Sequence, residues 1–136
     1  MSHIEQDVKL NFDDVLLKPK RSTLSSRASV DLNRTITFRH SPKTFTGVPL
    51  MAANMDGVGT FSMAKVLQKY NCITVIKKHY GLNDWKEAIG NGVSLSHIAV
   101  CTGANMIHDP NAEDYDNIKK ILEQWPDINY ICLDVA

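Results

Sequence analysis

Four short apolar runs, at 48–53, 73–76, 97–101 and 130–135, do most to limit what this chain can fold into. Each is apolar along its length rather than alternating, the pattern of strands covered on both faces, as in a parallel sheet. Helical spacing fills the gaps between them. Met63, Leu67 and Tyr70 fall on one face, Leu82, Trp85 and Ile89 on a second, and Tyr115, Ile118, Leu122 and Trp125 on a third. The third pattern has Asp109 placed to cap it, Pro110 at its first position, Glu113 and Asp114 near its positive end and Pro126 to stop it. The order is therefore β-α-β-α-β-α-β. Repeated units of this kind build a parallel α/β sheet, either open and doubly wound or closed into a barrel.

Residues 1–47 have weak periodicity and many hydroxyls (RSTLSSRAS), and only 30–39, VDLNRTITFR, alternates well enough for a short strand or hairpin arm. This segment is expected to be an N-terminal extension over one end of a barrel, with 48–136 supplying the barrel's first four strands. A closed (β/α)₈ barrel takes about 250 residues. The expectation is half of such a barrel, the N-terminal part of something longer.

Composition excludes several classes. Fifteen basic and fifteen acidic residues cancel, so no global charge favours nucleic acid or an anionic membrane. The local cluster of Lys18, Lys20 and Arg21 reads as a solvated face as readily as a binding patch. No apolar run approaches the ~20 residues of a membrane span, and MSHIEQDVKL is too polar for a signal peptide, so a cytoplasmic location is expected. Cys72, Cys101 and Cys132 are widely spaced inside apolar runs, which reads as reduced core thiols and not as a disulfide frame or zinc site. The histidines form no ligand pair, and no metal site is expected.

In parallel α/β folds, ligands bind beyond the carboxyl ends of the strands. There the sequence places Asn54, Met55 and Asp56, then Lys77, Lys78, His79 and Tyr80, then Thr102 and Gly103, then Asp134, Val135 and Ala136. That is much polarity for a plain barrel end. Each group also has a bland reading. GVGT at 57–60 lacks G-x-G-x-x-G spacing and reads as a turn followed by an N-cap. Lys77 and Lys78 are either loop charges or rim residues. Met55 is by default core filler, and Asp134 is either structurally hydrogen-bonded or part of a site.

Taken together, FDDVLLKPKRSTLSSR at 12–27, GVPLMAANMDGVGTFSMA at 47–64, KHY at 78–80 and ICLDVA at 131–136 resemble, in order and in register, the opening of the IMP dehydrogenase/GMP reductase family, and its reductases most closely. The resemblance implies a homotetrameric (β/α)₈ oxidoreductase of purine nucleotide interconversion. It implies conversion of GMP to IMP and ammonia with NADPH, through a covalent cysteine intermediate. By position it implies Ala53, Asn54 and Met55 against the purine, with small residues letting a flat base approach the backbone. Ser26 and Arg27 match NADPH-holding positions, as do Lys78, Asp134, Val135 and Ala136. Lys78 and Asp134 are the residues expected to support the chemistry, tuning one another across the barrel mouth.

The sequence departs from the family at two positions: Gly57 stands where threonine is usual, and Lys77 where histidine is common. The family's nucleophile lies in a G-P-G-S-x-C-T-T-R loop that 1–136 does not include, and Cys72, Cys101 and Cys132 lack its context, so this stretch alone is expected to be inactive. Two alternatives stay open. One is an IMP dehydrogenase-type enzyme, disfavoured by ANMD where dehydrogenases usually read SPMD. The other is a non-catalytic half-barrel that binds nucleotide or assembles with another subunit.

Overall fold

The computed structural model describes residues 7–103 and 113–135. The expected cap Asp109, Pro110 and the terminal Ala136 lie outside the described residues, as do the side chains of Glu113 and Asp114. The chain divides into two compact units, Met1–Asp31 and Leu32–Ala136. In the first, two short 3-10 turns are each set by a side-chain cap. Asn11 accepts from the backbone of Phe12 ahead of Phe12–Asp14, and Ser26 accepts from that of Ala28 ahead of Arg27–Ser29.

The second unit opens with an antiparallel hairpin, β1 (Arg34–Thr37) against β2 (Thr44–Gly47). The expected arm at 30–39 is therefore real but shorter. β3 (Met51–Ala52), β4 (Ile73–Ile76), β5 (Ile98–Gly103) and β6 (Tyr130–Asp134) then form one parallel sheet in chain order. Between them lie α1 (Phe61–Leu67), α2 (Leu82–Gly90) and α3 (Glu113–Gln124).

Strand parity divides the core. Ile76, Ile98 and Val100 point toward the helices, among Ala64, Trp85, Ala88, Ile118 and Ile121. Trp85 is the centre of this layer: it stacks on Trp125 at 6.0 Å and meets Phe61 edge-on at 5.1 Å. Ile73, Val75, Ala99 and Cys101 point to the opposite face, where Phe45 of the hairpin covers them. Phe38 and Phe45 both meet the Tyr130 ring, at 5.8 and 6.4 Å. The hairpin thus packs on this face at the end where the strands begin, and Asn54, Asp56, Lys77 and Asp134 lie at the other end.

Three expectations are corrected. The run at 48–53 yields only a two-residue strand, because Pro49 has no N–H and Leu50 turns back to the Val48 carbonyl at 2.7 Å. Tyr70 is exposed and leaves the buried stripe of α1, because the helix tightens into a 3-10 turn at Gln68–Tyr70 and ends on Asn71 in the left-handed region. Thr102 is not at the rim. β5 continues through Gly103, which leaves Thr102 buried at 1% exposure.

Thr74 is fully buried on β4, and its Oγ1 has no hydrogen-bond partner among the described residues. A buried unpaired hydroxyl costs stability that an isosteric methyl does not. Thr74→Val is expected to stabilise the chain by about 1 kcal/mol, read as a higher urea midpoint. A lower midpoint would show that the hydroxyl is satisfied in solution.

Candidate active site

β3 ends at Ala52, and the next eight residues form a tight turn system. Val58 and Gly59 both donate to the Met55 carbonyl, at 2.9 and 2.7 Å. Lys77 N–H, at the end of β4, donates to the Gly59 carbonyl at 2.9 Å. Thr60 caps α1, its hydroxyl accepting from Met63 N–H at 3.2 Å. GVGT is thus the turn and cap that its spacing suggests. Met55 is 65% exposed and so is not core filler, and Ala53 is exposed beside it.

Asn54 is the centre of the rim. Its Nδ2 donates to Asp134 Oδ2 at 2.8 Å and to Cys101 Sγ at 3.1 Å. Asp134 closes β6 and Cys101 lies on β5, so one carboxamide links the loop after β3 to the third and fourth strands of the sheet. In a flat sheet β3 and β6 would lie ~14 Å apart, three strand spacings, farther than Asn and Asp side chains can bridge. The C-terminal edge of the sheet and the loop after β3 therefore curl toward one another on the face opposite the helices. Asp134 pairs in register with Gly103 at the end of β5.

Lys77 gains a definite place. Its half-buried ammonium lies 3.5 Å from Asp56 Oδ1 and 5.2 Å from the Tyr80 ring centroid. Tyr80 in turn packs on Phe61 at 4.6 Å. The loops after β3 and β4 are therefore tied by one cation and one aromatic ring. Lys78 is exposed on the next position, and its carbonyl accepts from Asn117 of α3 at 3.5 Å. Val135 is exposed beyond β6.

Ser26 and Arg27 belong to the other unit. There the Ser26 hydroxyl is occupied as the cap of the turn on which Arg27 sits, so it shapes the backbone that presents the guanidinium.

Cys101 is the reduced core thiol that its apolar run predicts, but its contact with Asn54 is not legible there. Cys101 is buried, and burial, reinforced by Cys132 beside it, pushes its thiol up to about 11, while the Asn54 amide pulls slightly the other way. It is a neutral thiol at physiological pH and no nucleophile, yet it touches the rim. Parity was the available signal: counting back in twos from Asp134 gives Cys132 and Tyr130, and the register puts Cys101 beside Cys132.

Among the described residues no group of three or more His, Cys, Asp or Glu side chains is arranged to hold a metal ion. No helix among them is long and apolar enough to cross a membrane.

Fold and rim together define a parallel α/β protein with a polar site at the carboxyl ends of its strands. A family model described as the IMP dehydrogenase / GMP reductase domain matches residues 9–128, and the chain belongs to that family. It is 52% identical to GMP reductase 2 of Homo sapiens over 137 residues, spanning the whole of this chain and 38% of that relative. It is 48% identical to GMP reductase 1 of Homo sapiens, again over 38% of that relative. It is 46% identical to the GMP reductase of Shigella boydii serotype 18 over 98% of this chain and 37% of that protein. The chain thus spans under two-fifths of the length of these relatives.

Proposed function

We propose that this chain forms the first four strands of a (β/α)₈ barrel and serves an oxidoreductase that converts GMP to IMP and ammonia. The observation that carries the reading is the Asn54–Asp134 contact across the curled edge of the sheet. It joins two family motifs, ANMD and LDVA, at the end of the strands where such barrels bind ligands. The cofactor is NADPH, which supplies the hydride when bound. A homotetrameric assembly and a cytoplasmic location complete the reading.

The residues present fit these ligands. Ala53 and Met55 offer an exposed, small and polarisable platform suited to the face of a purine. Asp134 has one carboxylate oxygen engaged by Asn54, and a carboxylate is a good acceptor for the hydroxyls of a ribose. Arg27, set on its capped turn, suits a phosphate by its planar fork of donors. Lys78 carries an ammonium at the rim, where it neutralises phosphate charge or stabilises a departing amine. The reaction needs a pocket closed to water for hydride transfer, and the hairpin, with Phe45 against Tyr130, packs on the opposite end of this face.

The test is GMP-dependent loss of NADPH absorbance by the polypeptide that carries this chain, beside the IMP-with-NAD reaction of the alternative dehydrogenase reading. Lys78→Met is expected to lower kcat by about a hundredfold, as removal of a charge-stabilising donor does. A variant with kcat intact and only the KM for NADPH raised would confine Lys78 to cofactor binding. Turnover of IMP with NAD, and none of GMP with NADPH, would overturn the reductase reading.

A further inference from the structure

A carboxamide has two donor hydrogens on nitrogen and one acceptor oxygen, and its orientation is fixed by whatever those hydrogens meet. At Asn54 both are taken, one by Asp134 Oδ2 and one by Cys101 Sγ. Turning the amide over would put its carbonyl oxygen against the Asp134 carboxylate, which only accepts. Without an acceptor at position 101, however, the second hydrogen is released and the amide is free to tilt about the single Asp134 bond. Cys101 itself is held. It is buried, its backbone lies in register with Cys132 of β6, and its side chain interacts with that of Cys132.

We propose that Cys101 is a positioning residue. By accepting the second Nδ2 hydrogen it locks the Asn54 carboxamide with Oδ1 as the group left to meet a ligand, so that the rim recognises a hydrogen-bond donor, an N–H or O–H of a bound nucleotide. This inference rests on the nucleotide reading above for the identity of the ligand but not for the lock itself. Two sources would present such a donor: the purine nucleotide GMP, through its base or ribose, and NADPH, through its ribose or carboxamide. The thiol acts in its neutral form. No bond to sulfur is made or broken.

Two variants separate positioning from packing. Cys101→Ala removes the acceptor and little volume; Cys101→Ser puts back an acceptor of similar size. The first readout is proton exchange of the Asn54 side-chain amide, followed by NMR without ligand. Cys101→Ala is expected to speed exchange at least tenfold, and Cys101→Ser to restore protection. The second is calorimetric titration with GMP and, separately, with NADPH. Affinity for one of them is expected to fall about fivefold in Cys101→Ala, the effect of one neutral hydrogen bond, and to recover in Cys101→Ser. The ligand whose affinity moves identifies the donor. Equal exchange in the two variants would overturn the lock, and intact affinity for both ligands in Cys101→Ala would overturn its role in recognition. If the unaltered protein binds neither nucleotide, the nucleotide reading fails and the donor assignment with it, while the exchange data still decide whether Cys101 positions Asn54.

Discussion

Gly59→Ala is expected to destabilise the chain by about 3 kcal/mol or more, at the upper end of what overpacking costs. A Cβ at this position would sit 2.5 Å from the Val75 carbonyl oxygen, 2.8 Å from Asn54 Cα and 3.0 Å from the Ala53 carbonyl oxygen. All three are backbone atoms, so no side-chain rotation relieves the clash. Gly59 cannot retreat either, because its N–H is bonded to Met55 and its carbonyl to Lys77. Moving the loop would shift Asn54 and loosen its contact with Asp134, so stability and site should fail together. The neighbouring glycine supplies the control. A Cβ at Gly57 meets nothing within 4 Å, and Gly57→Ala is expected to stay within about 0.5 kcal/mol of the parent. Urea unfolding followed by the fluorescence of Trp85 and Trp125 measures both. Coincident midpoints for the two variants would show that the loop is not pressed against β4 in solution.

The same pair of glycines marks where the sequence was legible and where it was not. Both stand in one four-residue string, and pattern alone reads GVGT as a turn with a cap. Only the approach of Val75, sixteen residues later, distinguishes the glycine that must be there from the one that is tolerated. Long-range contact of this kind leaves no local mark. The reverse holds for β4, where a run of β-branched residues, apolar but for Thr74, marks the bounds 73–76 that the structure has, because a strand buried on both faces favours such residues along its whole length. The run at 48–53 looks longer as a strand than it is because its apolar content continues through Pro49, whose missing N–H keeps it out of the ladder. At the site, the polar residues after each run were legible from the rule that strand ends bind ligands. Their partners were not. Lys77 read as a departure from a histidine, yet it lies against Asp56 and Tyr80 and ties two loops. Cys101 read as an inert thiol, which it is chemically, while its lone pair serves the rim.

Asn54→Asp is expected to weaken the site and to make it depend on pH. The substitution is nearly isosteric, but it replaces the Nδ2 donor, 2.8 Å from Asp134 Oδ2, with a carboxylate oxygen. Two carboxylates at that separation do not both ionise without a large repulsion, so the folded pair holds a proton to higher pH than the same two groups do in the unfolded chain. The sign follows. The folded state then binds more protons than the unfolded state, so stability falls as pH rises through the range where the pair loses its shared proton. Below that range the protonated oxygen donates as the amide did, and the variant should approach the parent. The contact is exposed, so water screens it, and at alkaline pH a loss of about 1 kcal/mol is expected, with the proposed GMP-dependent NADPH oxidation reduced tenfold to a hundredfold. Asn54→Ala removes the donor without adding charge, and its loss should be nearly flat with pH. Urea midpoints of the parent and the two variants between pH 5.5 and 8.5 give the comparison without requiring turnover. Parallel profiles for Asn54→Asp and Asn54→Ala would mean that residue 54 does not face Asp134 in solution, and the curled edge on which the proposed function stands would go with it.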